Sequence, residues 1–109
     1  MDLVVESYRV NMVLPKREMF GLSTQIRRAA VSIPAKIAEG HGRDHLGDYL
    51  RHLSVANGSL MELETHFLVM NQLSYTTTDD VRKALDLTGE VGRMLAGLTS
   101  MLKACLAAP

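Results

Sequence analysis

Two histidines in this chain stand four residues from an acid, Asp48 with His52 and Glu62 with His66, and each pair would share one face of a helix. Imidazole beside carboxylate is the raw material of a metal site. A di-iron bundle, however, needs Glu-x-x-His on two helices and a further Glu from each of the other two. No Glu-x-x-His occurs, His66 lies four after Glu62, and Glu6 is the one glutamate of the first segment. The spacing points to solvated pairs, with no metal and no other cofactor. Nucleophilic chemistry has as little to work with. Cys105 falls on an apolar stripe near the C-terminus, the place of a small buried thiol. Ser23, Ser32, Ser54 and Ser59 lack a Gly-x-Ser-x-Gly setting, and no glycine-rich phosphate loop follows a strand. The expectation is a protein that is not an enzyme and has no small-molecule substrate.

Charge placement says more. Lys16, Arg17, Arg27, Arg28, Lys36, Arg43 and Arg51 face only Glu18, Glu39, Asp44 and Asp48 over residues 16–53, with His41, His45 and His52 in the same stretch. Beyond Leu53 the acids outnumber the bases. Guanidinium groups offer forked donors to phosphate, so an exposed patch of Lys36, Arg43 and Arg51 is a candidate nucleic-acid contact. For Arg27 and Arg28 the preferred reading is internal: they meet Glu62 or Glu64 across helices, because those carboxylates flank a buried stripe. Phosphate contact is the other reading for that pair.

Helices must position all of these groups. From about Asp44 to Leu73, Leu46, Tyr49, Leu53, Ala56, Leu60, Leu63, Phe67 and Met70 alternate spacings of three and four, the seam of a helix packed nearly parallel to its neighbours. Asp44 is the expected N-cap. The last segment repeats the pattern with Val81, Ala84, Thr88, Val91, Leu95, Leu98, Leu102 and Cys105, behind Thr78 as N-cap. Leu87, Met94 and Met101 add a second stripe, which implies contact with more than one neighbour. A third helix runs from about Ser23, its cap, to His41, with Leu22, Ile26, Ala30, Ile33 and Ile37 buried. Its period continues in phase across Pro34, which predicts one kinked helix, ended by Gly40 and Gly42. The first segment, Asp2 to Leu14, offers Val5, Tyr8 and Met12 as its face and stops at Pro15. Met19 and Phe20, in the loop after it, are expected to fold back over the end of the bundle. Gly58, with Ala56 and Ser59, makes a smooth patch where a second helix can come close, which would offset the cost of a glycine inside a helix. The architecture expected is all-α: one domain over residues 1–109, an up-down-up-down antiparallel four-helix bundle.

Composition sets the bounds. The chain has 109 residues, 47% of them hydrophobic, too many for disorder and too few residues for two domains. Twelve Lys and Arg against twelve acids give zero net charge, so bulk positive charge does not coat nucleic acid. One cysteine fits a reducing, cytoplasmic setting. No apolar run is long enough for a membrane span, and Asp2 and Glu6 are wrong for a cationic leader.

Two stretches are more specific than any period. Residues 20–34 read Phe-Gly-Leu-Ser-Thr-Gln-Ile-Arg-Arg-Ala-Ala-Val-Ser-Ile-Pro, followed by Ile37-Ala38-Glu39-Gly40-His41-Gly42-Arg43. Tyr49-Leu50-Arg51-His52-Leu53 and the run Ala56 to Thr65 complete the pattern. Together, over roughly Tyr8 to Tyr75, they resemble the bacterial four-helix-bundle family of intervening sequences in 23S ribosomal RNA genes. The accessory variability proteins of diversity-generating retroelements are more distant relatives. The resemblance implies a homopentamer, a ring of antiparallel bundles without enzymatic activity, in contact with RNA or a nucleoprotein partner. Two departures stand out. The family's first helix is longer and has an aromatic near its start, and its Ser-Asn after the helix proline is Ala35-Lys36 here. A purely structural protein-interaction module is the alternative function.

Overall fold

The computed structural model describes residues 2–18 and 20–108. Among them are four α-helices and no strand: α1 (Asp2–Asn11), α2 (Leu22–His41), α3 (Leu46–Gln72) and α4 (Thr78–Ala107), with a single 3-10 turn at Lys16–Glu18. The expected all-α class is observed. The molecule measures 53 × 24 × 19 Å, a rod set by its long helices, since 27 residues of α3 rise about 40 Å.

The two long seams behave as their spacing predicts. Leu53, Ala56, Leu60, Leu63, Phe67 and Met70 of α3 are buried, and so are Val81, Ala84, Thr88, Leu95 and Leu102 of α4. Ile26, Ala30 and Ile33 add the core face of α2. Cys105 departs from the pattern: it is exposed, because the last turns of α4 outrun the core. The second stripe of α4 divides: Leu87 is half-buried against the core, while Met94 is 66% and Met101 56% exposed. α2 runs unbroken through Pro34, one helix and not two.

Helix α1 turns the opposite way from the expectation. Val5, Tyr8 and Met12 lie outside, Met12 at 85% exposure, while Leu3, Glu6, Ser7, Val10 and Asn11 face inward. Their polar atoms find partners there: Ser7 Oγ donates to Leu3 O at 2.6 Å, and Asn11 Nδ2 donates to Ser23 O at 3.2 Å on α2. Glu6 accepts from Arg9 Nε at 2.8 Å and lies 3.8 Å from Lys83 Nζ on α4. Asn11 Oδ1 is the exception, buried without a partner; the other bonds let a half-polar face take the core position over a more apolar one.

The helix starts also shift. Ser23 does not cap α2; it is buried in the first turn, behind Gly21. His45, not Asp44, precedes α3, without a side-chain cap bond. Thr77, not Thr78, caps α4 in a reciprocal box: Thr77 Oγ1 accepts from Asp80 N at 3.2 Å, and Asp80 Oδ2 accepts from Thr77 N at 2.9 Å. Thr77→Ala should therefore cost about 1 kcal/mol, read as a lower urea midpoint, while Thr78→Ala leaves the midpoint within error. In the loop before α2, Phe20 is 92% exposed and covers nothing; Met19 lies outside the described residues. Arg17 instead stacks over Tyr75, 5.4 Å from the ring centroid.

The glycines exchange roles. A Cβ on Gly58 would meet nothing within 4 Å, so no helix comes close there. Gly40 is the tight position: a Cβ would lie 2.8 Å from His52 Cβ and 2.9 Å from Tyr49 Cδ1. It does not end α2, which continues to His41, and Gly42 follows with φ of −80°. Close approach, not helix termination, is what Gly40 supplies.

Candidate functional site

Gly40 brings α2 and α3 together where most of the predicted chemistry lies. Lys36 Nζ sits 3.1 Å from Glu39 Oε2, one turn along α2. From α3, His52 Nε2 approaches the same carboxylate oxygen at 3.6 Å. His52 Nδ1 donates to the backbone carbonyl of Asp48 at 2.8 Å; a carbonyl only accepts, so Nδ1 carries the proton. Lys36 holds the Glu39 carboxyl below its usual range, with smaller contributions from His52 and Arg43. Arg51 Nη2 lies 3.9 Å from Asp48 Oδ1. His41 meets the Tyr49 ring edge to face, centroids 5.8 Å apart.

The fold thus gathers Lys36 and Arg43 around one carboxylate and sets Arg51 on another. All three candidate cations are exposed or half-exposed, but Lys36 and Arg51 spend their charge on neighbours three residues away. The corner is a mixed-charge surface, not a basic one.

The cross-helix pairs expected of Arg27 and Arg28 with Glu62 and Glu64 do not form among the described residues. Arg27 turns along its own helix, where Nη1 donates to Ser23 Oγ at 2.8 Å and Nη2 to Thr24 Oγ1 at 3.4 Å. Glu62 pairs with His66 Nε2 at 3.3 Å on its own helix. Local spacing of three and four wins because both partners are already held at reach by the helix itself. Arg28 is exposed and without a carboxylate partner among the described residues. It shares a shallow depression of about 420 Å³ with Tyr8, Arg27, Val31 and Ser32. Nothing in the local sequence joins Tyr8 to Arg28; packing of α1 on α2 does.

The hydroxyls are structural where they meet. Ser59 Oγ donates to Ser32 Oγ at 2.9 Å, tying α3 to α2. Ser54 lines a groove of about 370 Å³ between α3 and α4 with Asn57, Thr99, Ser100 and Lys103. His52 uses the Asp48 backbone and not its carboxylate, and no cluster of three or more His, Cys, Asp or Glu side chains able to hold a metal occurs among the described residues. No described helix is long and apolar enough to cross a membrane.

A family model described as 23S rRNA-intervening sequence protein matches residues 1–97. No curated protein matches the chain.

Proposed function

The chain belongs to the 23S rRNA-intervening sequence protein family, and from that premise we propose that it is a cytoplasmic, non-enzymatic helical-bundle protein, one domain throughout, that self-associates and contacts RNA. The helices run up-down-up-down in this reading, with a bend at Pro34. Support for the alternating order comes from helix ends that meet: Arg9 at the end of α1 with the Asp80 carbonyl at the start of α4, and Gly40 near the end of α2 with Tyr49 near the start of α3.

The observation that carries self-association is the exposed stripe of α4. Leu3 and Val4 of α1 line a groove with Val91 and Met94, and α4 continues from there to Ala107 with Met101 exposed. Flexible methionines on a long helix, open along one side, are suited to burial against another copy. A closed ring of five is the assembly proposed. RNA contact takes its support from exposed cations such as Arg43; the family's description ties it to a sequence that interrupts 23S rRNA and names no ligand. Several copies in one ring raise the effective concentration of weak phosphate contacts.

Light scattering at micromolar concentration should give five times the mass of the chain, and a stable monomer removes the ring. Structured RNA should bind with a marked salt dependence, and Arg43→Glu/Arg51→Glu shows how much of it this corner supplies. One observation favours the protein-interaction module instead: Lys36 and Arg51 already have carboxylates. Absence of RNA binding at low salt would favour that second reading.

A further inference from the structure

We infer that the depression formed by Tyr8, Arg27 and Arg28 on the outer side of α1 and α2 is the surface that holds single-stranded RNA, a base stacked on Tyr8 and a phosphate on Arg28. The inference rests on the RNA reading above and relocates its contact away from Lys36, Arg43 and Arg51.

Charge bookkeeping separates the two surfaces. At the Gly40 corner, Glu39 and Asp48 sit among the cations and cancel much of their field. Arg9 and Arg82 are likewise matched, by Glu6 and Asp79. None of the five residues lining the α1–α2 depression is acidic. Arg27 is held by two neutral hydroxyls, which fix its guanidinium without neutralising it. Arg28 is exposed beside it and keeps its whole donor fork for a ligand. Both arginines line the one depression, so an anion there is drawn by two uncompensated charges.

The aromatic makes the ligand a nucleic acid and not a bare anion. Tyr8 is 43% exposed and lines the same depression, to which exposed Val31 adds apolar surface. A planar ring in one depression with the unpaired guanidinium of Arg28 and the uncompensated charge of Arg27 suits an unpaired base and its phosphate, which stack and pair at once. Duplex RNA keeps its bases inside and cannot use Tyr8. The surface belongs to α1 and α2, so the α4 stripe remains available for association. Sequence spacing conceals this site because the period of α1 places Tyr8 inward and no local pattern joins it to Arg28.

The test is titration of a fluorescein-labelled, mixed-sequence single-stranded RNA of about a dozen nucleotides, at about 50 and 200 mM salt. Circular dichroism melts establish that each variant is folded. Arg28→Glu should weaken binding at least tenfold at low salt and lower the salt slope by about one. Tyr8→Ala should weaken it about fivefold or more, while Tyr8→Phe, which keeps the ring, binds as the parent does. Arg43→Glu/Arg51→Glu should change it less than either. Loss of binding in that double variant, with Arg28→Glu and Tyr8→Ala unaffected, overturns this surface and leaves the RNA reading standing. A parent that binds no RNA at low salt overturns both.

Discussion

Gly40→Ala should unfold well below the parent, although the same exchange in an open helix raises stability by about 1 kcal/mol. The added methyl would lie 2.8 Å from His52 Cβ, 2.9 Å from Tyr49 Cδ1 and 3.3 Å from the Tyr49 carbonyl oxygen. A Cβ and a backbone oxygen cannot turn aside by changing rotamer, so α2 and α3 must separate or bend. Overpacking of this kind costs about 1–3 kcal/mol, a fall of roughly 5–15 °C for a domain of this size. Gly40→Val should be worse. Gly58→Ala is the matched control, because its methyl meets nothing within 4 Å and gains only helix propensity. Its melting temperature should rise slightly. A Gly40→Ala protein that melts with or above the parent would show that the corner has room to relax.

The two glycines also show what the sequence contained. Ala56 and Leu60 lie on the α3 seam, so Gly58, two residues from each, points to the opposite side of the helix. Gly40 follows Ile33 and Ile37 by seven and three, which continues the buried face of α2. Both facts were legible, and reading glycines as patches or stops obscured them. The α3 seam was legible because every position in it is apolar or small; on α4 the seam competed with the stripe of Leu87, Met94 and Met101, and its last position, Cys105, is exposed. Helix α1 offered two rival stripes, and the one with fewer apolar residues lies inward through bonds to Lys83 and Ser23, remote in sequence. The pairs Lys36–Glu39 and Asp48–Arg51 lie three apart and could be read directly. The meeting of Tyr8 with Arg28 depends on how α1 rotates against α2, and no local spacing encodes that rotation.

Glu6 lies on the inward face of α1, beside Leu3 and Val10. Its carboxylate is buried, accepts from Arg9 on its own helix, and reaches Lys83 on α4 at 3.8 Å. The hydrogen bond from Arg9 is the largest influence on its pKa and, with help from Lys83, holds it below the ordinary glutamate range despite burial. A carboxyl lowered in the folded state takes up its proton later than the same group in the unfolded chain. As pH falls below the ordinary range, the unfolded state binds more protons, and stability is lost until the folded carboxyl also titrates. Above that range the contribution is complete. Glu6→Gln keeps the size and removes the charge, so it should lower neutral-pH stability by about 1–2 kcal/mol, the exposed ends of Arg9 and Lys83 softening the loss. Its fall in stability from pH 7 to about pH 3 should be shallower than the parent's. Some acid sensitivity remains in the variant, because Glu39 and Asp80 are lowered in the same direction by Lys36 and by Thr77. Urea midpoints of both proteins across this range make the comparison. Parallel pH profiles would mean that the Glu6 charge adds nothing, and that α1 is held against α4 by other contacts, such as Leu3 and Val4 beside Val91 and Arg9 on the Asp80 carbonyl.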